Sequence, residues 1–391
     1  MTTTPDRPRH APEGHHHAHP ASDVTRPQLA VMTLLTVLAL TLAVALPATR
    51  VNLGLSAEDV GGAVMPPGMV MTRETSADAM RDMAAVDPET VTSVAAAHAR
   101  GDRVLRPRLV AGVKVFELTT SVTGWTILPG RRVDAYAVNG QVPGPRLRVT
   151  EGDRVRIHVR NELPEPTSIH WHGLVLPNAM DGAADVTQQP IPPGGEHTYE
   201  FTVRRPGTYF YHSHAAPDRQ QALGLYGALL VDPKDPRRDR VLDYDQELVV
   251  QLQEWLVRDG FTFPAMSMEG ALPNYFTING KAYPETGTVR MRVGERLRVR
   301  FIGTHNNFVH PMHIHGGPFR VVQTDGEPVP PAAQLLKDTI NVGPGERYDV
   351  IWEAREPGRW LLHCHIPHHT TNDNTEVRGG GGLMTVIEVT R

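Results

Sequence analysis

The sequence passes through one order of segments twice. The first pass carries Val138-Asn139-Gly140, an alternating run around Val149 to Ile157, then His170-Trp171-His172-Gly173, and ends in Tyr209-Phe210-Tyr211-His212-Ser213-His214. The second carries Ile278-Asn279-Gly280, a matching run around Met291 to Val299, then His313-Ile314-His315-Gly316, and ends in Trp360-Leu361-Leu362-His363-Cys364-His365. A sequence repeated in this way predicts two copies of one structural unit packed together. Within each pass apolar and polar residues alternate over short runs broken by Gly, Pro and Asn, the pattern of short antiparallel strands in a β-sandwich. An all-β chain is therefore expected, with domains over 109–236 and 244–391 joined through Asp232-Pro233-Lys234-Asp235-Pro236.

Each pass holds two His-x-His pairs: His170/His172 and His212/His214, then His313/His315 and His363/His365. On a strand, residues two apart share a face and the residue between them takes the other. Each pair thus offers two imidazoles to one centre. In the last pair the middle residue is Cys364, which is directed to a second centre on the opposite side. A thiolate with two imidazoles and a weak axial ligand is the donor set of a blue-copper electron-transfer site. A lone His-x-His is commonly an accident of surface or core; four pairs with a cysteine inside one are not.

These segments, together with His310-Pro311-Met312 and Ile366-Pro367-His368-His369, resemble the four copper-binding motifs of the multicopper oxidases over roughly residues 110–391. The resemblance implies two cupredoxin-like Greek-key β-sandwich domains where the commoner form of the family has three. It implies four copper ions per active unit: one type 1, one type 2 and two type 3. Cys364, His310 and His369 match the type 1 ligands, with His368 as the second choice beside His369 or as a residue shaping the substrate edge. The first pass has Ser213 where the second has Cys364, so only the second carries the thiolate site. Aligning the glycine run 379–382 puts Leu383 in the axial position, and a slip of one residue puts Met384 there. An aliphatic axial residue is expected to give the higher potential. By the family pattern His170 and His313 bind the type 2 ion, and His172, His212, His214, His315, His363 and His365 the type 3 pair. Electrons are expected to enter at an exposed edge of His369 and to cross from Cys364 to His363 and His365. Asp181, in Met180-Asp181-Gly182, stands where the family keeps a proton-relaying carboxylate, although Asp-Gly is also a common turn. The family's two-domain members complete the cluster between subunits, which implies a homotrimer.

The remaining sequence bears on location and substrate. Residues 1–27 form a polar tail, read as disordered, with a histidine tract (Gly14 to His19) that either catches copper or has no specific role. Residues 28–48 hold an uncharged apolar run, read as a transmembrane anchor or a signal peptide. Either reading puts the catalytic domains outside the cytoplasm. Residues 49–108 read as a linker. Its methionines Met65, Met69, Met71, Met80 and Met83 either collect soft copper(I) or pack on the sandwich with one short helix near Ser76 to Ala85. The single cysteine excludes an intrachain disulfide, and a net charge of −4 gives no sign of a nucleic-acid partner.

The expected function is a laccase-like oxidation of a phenol or metal ion by dioxygen. The inserted loop 370–382 places Asp373 and Glu376 beside the electron entry, as a metal-ion substrate site or as a solvated loop. Two other readings compete. A copper nitrite reductase shares the two-domain architecture but needs three histidines at its catalytic copper and carries its thiolate site in the first domain. A copper-storage protein would not need Cys364 bridging two centres.

Overall fold

The computed structural model describes residues 25–49, 64–66, 75–238, 241, 243–267, 270–376 and 378–391. The histidine tract, Met69 and Met71 lie outside them. The chain divides into two units, 1–53 and 54–391. In the first, most of the apolar run lies on the helix Arg26–Thr49. Among the described residues no helix is long and apolar enough to cross a membrane, and the side chains of 43–49 are not among them.

The second unit is built from two sandwiches of the same plan. In the first, a sheet centred on Val113–Leu128 faces a sheet ordered Val104–Leu105, Arg146–Thr150, Tyr226–Asp232, Gly207–Ser213, Ile169–His172. In the second, a sheet centred on Gln246–Arg258, Arg296–Ile302 and Arg347–Glu353 faces one ordered Thr288–Arg292, Met384–Thr390, Gly358–Cys364, His310–Ile314, Thr339–Val342. The strands bearing His-x-His are therefore antiparallel neighbours in both copies.

The Asn-Gly turns repeat down to single hydrogen bonds. Asn139 and Gly140 take φ of 51° and 67°, Asn279 and Gly280 50° and 74°, the positive pair that a type I′ hairpin turn demands. Asn139 accepts from Thr119 N and donates to the Glu117 carbonyl; Asn279 accepts from Gln251 N and donates to the Val249 carbonyl. Each turn is so tied to the neighbouring strand. Any side chain at Gly280 would strike the backbone of Val142.

The sandwiches pack on each other through an aromatic seam and an ionic one. Trp125, Ile127, Val133 and Tyr226 of the first share a core with Trp255, Val257 and Tyr275 of the second. Burying a large apolar side chain is worth roughly 1.5–3 kcal/mol over leaving it exposed. Elsewhere between the sandwiches Asp349 holds Arg298 and Arg300 at 2.6 and 2.9 Å and accepts from Thr208 of the first sandwich.

Part of the segment read as a linker belongs to this packing. The helix Ala77–Met83 is capped by Ser76, whose hydroxyl accepts from Ala79 N, a stabilising N-cap. It buries Met80 and Met83 against Leu256, Phe263 and Met266, with Met65 half-buried at the same cluster. Ser93–Val94 and Arg108–Val110 both pair with Val113–Leu128.

Candidate metal centres

The two sheets of the second sandwich aim one tripeptide at two places. Cross-strand pairing sets Met312 opposite Cys364 and His313 opposite His363. Cys364 is buried in the core with Leu362 and Ile314, while the imidazoles of His363 and His365 stand on the other face. All four pairs follow this rule: the middle residues Trp171, Ser213, Ile314 and Cys364 are buried.

His310, Cys364 and His369 meet inside the sandwich. Their donor atoms lie within 4.8 Å of one another. Cys364 Sγ is 3.8 Å from His310 Nδ1 and 3.5 Å from His369 Nδ1, and the two Nδ1 atoms are 3.0 Å apart. Burial drives the thiol up to about 12 and the imidazoles of His310 and His369 down to about 3 and 4. Both rings are thus neutral with lone pairs to give, and the thiol parts with its proton only when a cation replaces it. One soft sulfur and two imidazole nitrogens in a dry pocket fit copper.

Leu383 belongs to the core cluster that contains Cys364, and its carbonyl accepts from Cys364 N. Met384 pairs instead with His363, and its thioether lies against Gly380. The geometry therefore favours Leu383 for the axial place. The glycine run exists because the loop 370–382 folds back onto the ligand turn: a Cβ on Gly382, at φ 50°, would collide with the His369 carbonyl.

Glu254, a residue the sequence reading passed over, completes this pocket. It is fully buried, accepts from Phe308 N at 3.0 Å and Asn307 Nδ2 at 2.7 Å, and lies 3.2 Å from His310 Nε2. That contact is within ion-pair range but off the hydrogen-bonding direction. A carboxylate behind the remote nitrogen of a ligand imidazole orients the ring and raises its basicity.

His369 differs from expectation. It is 3% exposed. Phe276 stacks on it at 4.3 Å and Phe308 covers it at 5.1 Å, so it has no open edge. His368 is the exposed neighbour. Asp373 is also engaged elsewhere: it accepts from Asn274 at 2.7 Å and lies 3.6 Å from Arg131. Glu376 remains at the groove that His368 lines.

The other eight imidazoles form two quartets. His170, His172 and His212 bring nitrogens within 4.8 Å, and His214 lies beside them. His313, His315, His363 and His365 form the matching set, with His315 and His363 nitrogens 3.0 Å apart. The two sets are anchored alike. His170 and His313 hold the carbonyls of Asp181 and Asp338 through Nδ1; His212 and His363 hold those of Ser213 and Cys364. A carbonyl only accepts, so each Nδ1 carries the proton and each Nε2 is left to bind metal. Burial, then the Arg347 guanidinium, pushes His172 down to about 3. The Asp181 carboxylate lies 3.6 Å from His170 Nδ1. Among the described residues no ring contact joins one quartet to the other.

Sequence models of multicopper oxidase domains match residues 119–236 and 261–375. The chain is similar to copper resistance protein A of Pseudomonas syringae pv. tomato, 34% identical over 274 residues, covering 58% of this chain and 44% of that protein. It also resembles the solved blue copper oxidase of Nitrosomonas europaea (34% identity, TM-score 0.62, 70% of this chain and 85% of that one) and the multicopper oxidase mgLAC (36%, 0.65, 70% and 86%). The chain spans about half the length of the curated relatives it matches. With both sandwiches matched, the chain belongs to the multicopper oxidase family.

Proposed function

We propose that this chain is a laccase-like, copper-dependent oxidase that couples one-electron oxidation of a phenolic or metal-ion donor to four-electron reduction of dioxygen to water. The observation that carries the reading is Cys364, whose sulfur faces His310 and His369 while the imidazoles on either side of it belong to a second ligand set. Cys364, His310 and His369 would hold a copper suited to taking single electrons from the donor, and the histidine quartets would hold the type 2 ion and type 3 pair that would supply the chemistry of dioxygen reduction. His170 and His313 would hold the type 2 ion, and His172, His212, His214, His315, His363 and His365 the type 3 pair. Asp181, beside His170, delivers protons to that cluster.

Each chain offers two half-sets of four imidazoles. A second copy supplies the missing half, and a head-to-tail contact of this kind closes into a ring, here a homotrimer. The uncharged apolar run on the helix Arg26–Thr49 supports reading it as an anchor or an export signal, with the oxidase outside the cytoplasm. The name of the copper resistance relative keeps copper ions among the donors to be tried.

The test is copper content and visible spectrum of the purified protein, then oxygen uptake with a phenol and with copper(I). Four coppers per chain, a strong blue thiolate band and oxygen consumption are expected. Two coppers per chain would revive the nitrite reductase reading, and copper binding without turnover the storage reading.

A further inference from the structure

The thiolate site is closed on the side from which a donor has to approach. His369 is sealed under Phe276 and Phe308, and Phe276 is itself wholly buried. The residue before it is not. His368 is exposed and forms a wall of an open groove of about 680 Å³, with Pro367, Thr370, Glu376 and Arg378 around it. Phe276 touches both imidazoles, stacked on His369 and edge-on to His368 at 6.3 Å between ring centres. The two imidazole centres are 6.4 Å apart.

We propose that the reducing substrate docks in this groove against the imidazole of His368, which takes the donor-contact role that an exposed ligand histidine would have had. The proposal rests on the reading of His310, Cys364 and His369 as a copper site. The groove is lined by hydrogen-bonding and charged groups of both signs. It therefore suits a small hydrogen-bonding donor, such as a dihydroxybenzene, better than an apolar one. Such a donor presents a hydroxyl to the His368 ring nitrogen or to Glu376 and lays its ring against His368. It gives up one electron to the copper and one proton to the water of the groove, and leaves as a semiquinone radical. The electron has a short packed route, from the His368 imidazole to the adjoining ring of Phe276 and on to His369. Asp373 does not contact the donor, because Asn274 and Arg131 already hold it.

The experiment is anaerobic stopped-flow reduction of the copper-loaded protein by hydroquinone, read as bleaching of the blue band. Parallel measurements take the spectrum and reduction potential at rest. His368→Ala is expected to slow bleaching by about 10- to 100-fold, the loss that misplacing a reactant produces, with the resting band and potential unchanged. His368→Gln, which keeps a planar hydrogen-bonding group, is expected to recover part of the rate. Wild-type bleaching rates in both variants would overturn the proposal. So would loss of the blue band in both, because His368 would then be a ligand or a support of the site. A wild-type protein that is bleached by hydroquinone yet consumes no dioxygen would sink the oxidase reading and leave the role of His368 standing.

Discussion

At the scale of single residues, the thiolate pocket makes two predictions. Leu383 sits on the Cys364 side of its strand and Met384 on the His363 side. Leu383→Met brings a thioether to the axial place and is expected to lower the reduction potential of the blue copper, whereas Met384→Leu leaves it nearly unchanged. A redox titration followed at the blue band separates the two. Glu254 supplies a buried negative charge behind His310. Glu254→Gln keeps the hydrogen bond from Phe308 N but removes that charge. Copper affinity at the thiolate site is expected to fall about 10- to 100-fold, measured by competition with a chelator. The candidate ligands were legible in the sequence, the paired histidines and Cys364 through strand alternation and His310 and His369 through the resemblance to the family's motifs. Glu254 was not, because it reaches His310 across 56 residues of chain (310 minus 254) through sheet register. The sealing of His369 by Phe276 was hidden for the same reason.

At the scale of elements, strand pairing decides which surfaces become sites. Strands Gly207–Ser213 and Gly358–Cys364 occupy equivalent places in their sheets, and each runs beside a strand with its own histidine pair. The sheet seam holds a different kind of element contact. Asp349 faces two guanidinium groups and a threonine from the first sandwich, all nearly free of solvent. Asp349→Ala removes the carboxylate that Arg298 and Arg300 share, leaving Arg300 to Glu247 at 2.8 Å and Arg298 to Gln323 at 3.1 Å, and is expected to cost up to about 3–5 kcal/mol. A denaturant melt of the copper-free protein with unchanged slope would register it as a shift in midpoint. The helix Ala77–Met83 was foreseen as one of two readings of its segment. The methionines on it are packed into a core, which leaves them no open face for an ion.

At the scale of the whole molecule, stability of the copper-free protein is expected to depend on pH through its buried imidazoles. His172, His310 and His369 have folded-state values near 3, 3 and 4 against an unfolded value of about 6.5. Below about pH 6.5 the unfolded chain takes up protons that the folded chain refuses. Stability is therefore full above that pH and falls as pH drops toward the folded-state values, by up to about 1.4 kcal/mol per pH unit for each histidine. Thermal melts of the copper-free protein between pH 7 and 5 are expected to show the loss, and copper loading to suppress it by occupying the same nitrogens. Assembly is tested by the mass of the active, fully metallated species. A trimer is expected, and a monomer with full metal content and full activity would refute the shared cluster.

The sequence by itself determined the repeat, the strand class and the paired histidines that are candidate ligands. All three are written in local periodicities: alternation of two along a strand, Asn-Gly at each hairpin, and His-x-His at the strand ends. Tertiary structure decided what those ligands meet. It put Glu254 behind His310 and Phe276 over His369, gave Asp373 to Asn274 and Arg131, and chose Leu383 over Met384 on the Cys364 side. It also kept the two histidine quartets out of ring contact with each other. These outcomes depend on which distant strands pair and in what register, which no short stretch of sequence encodes. A one-residue slip in register would exchange every face.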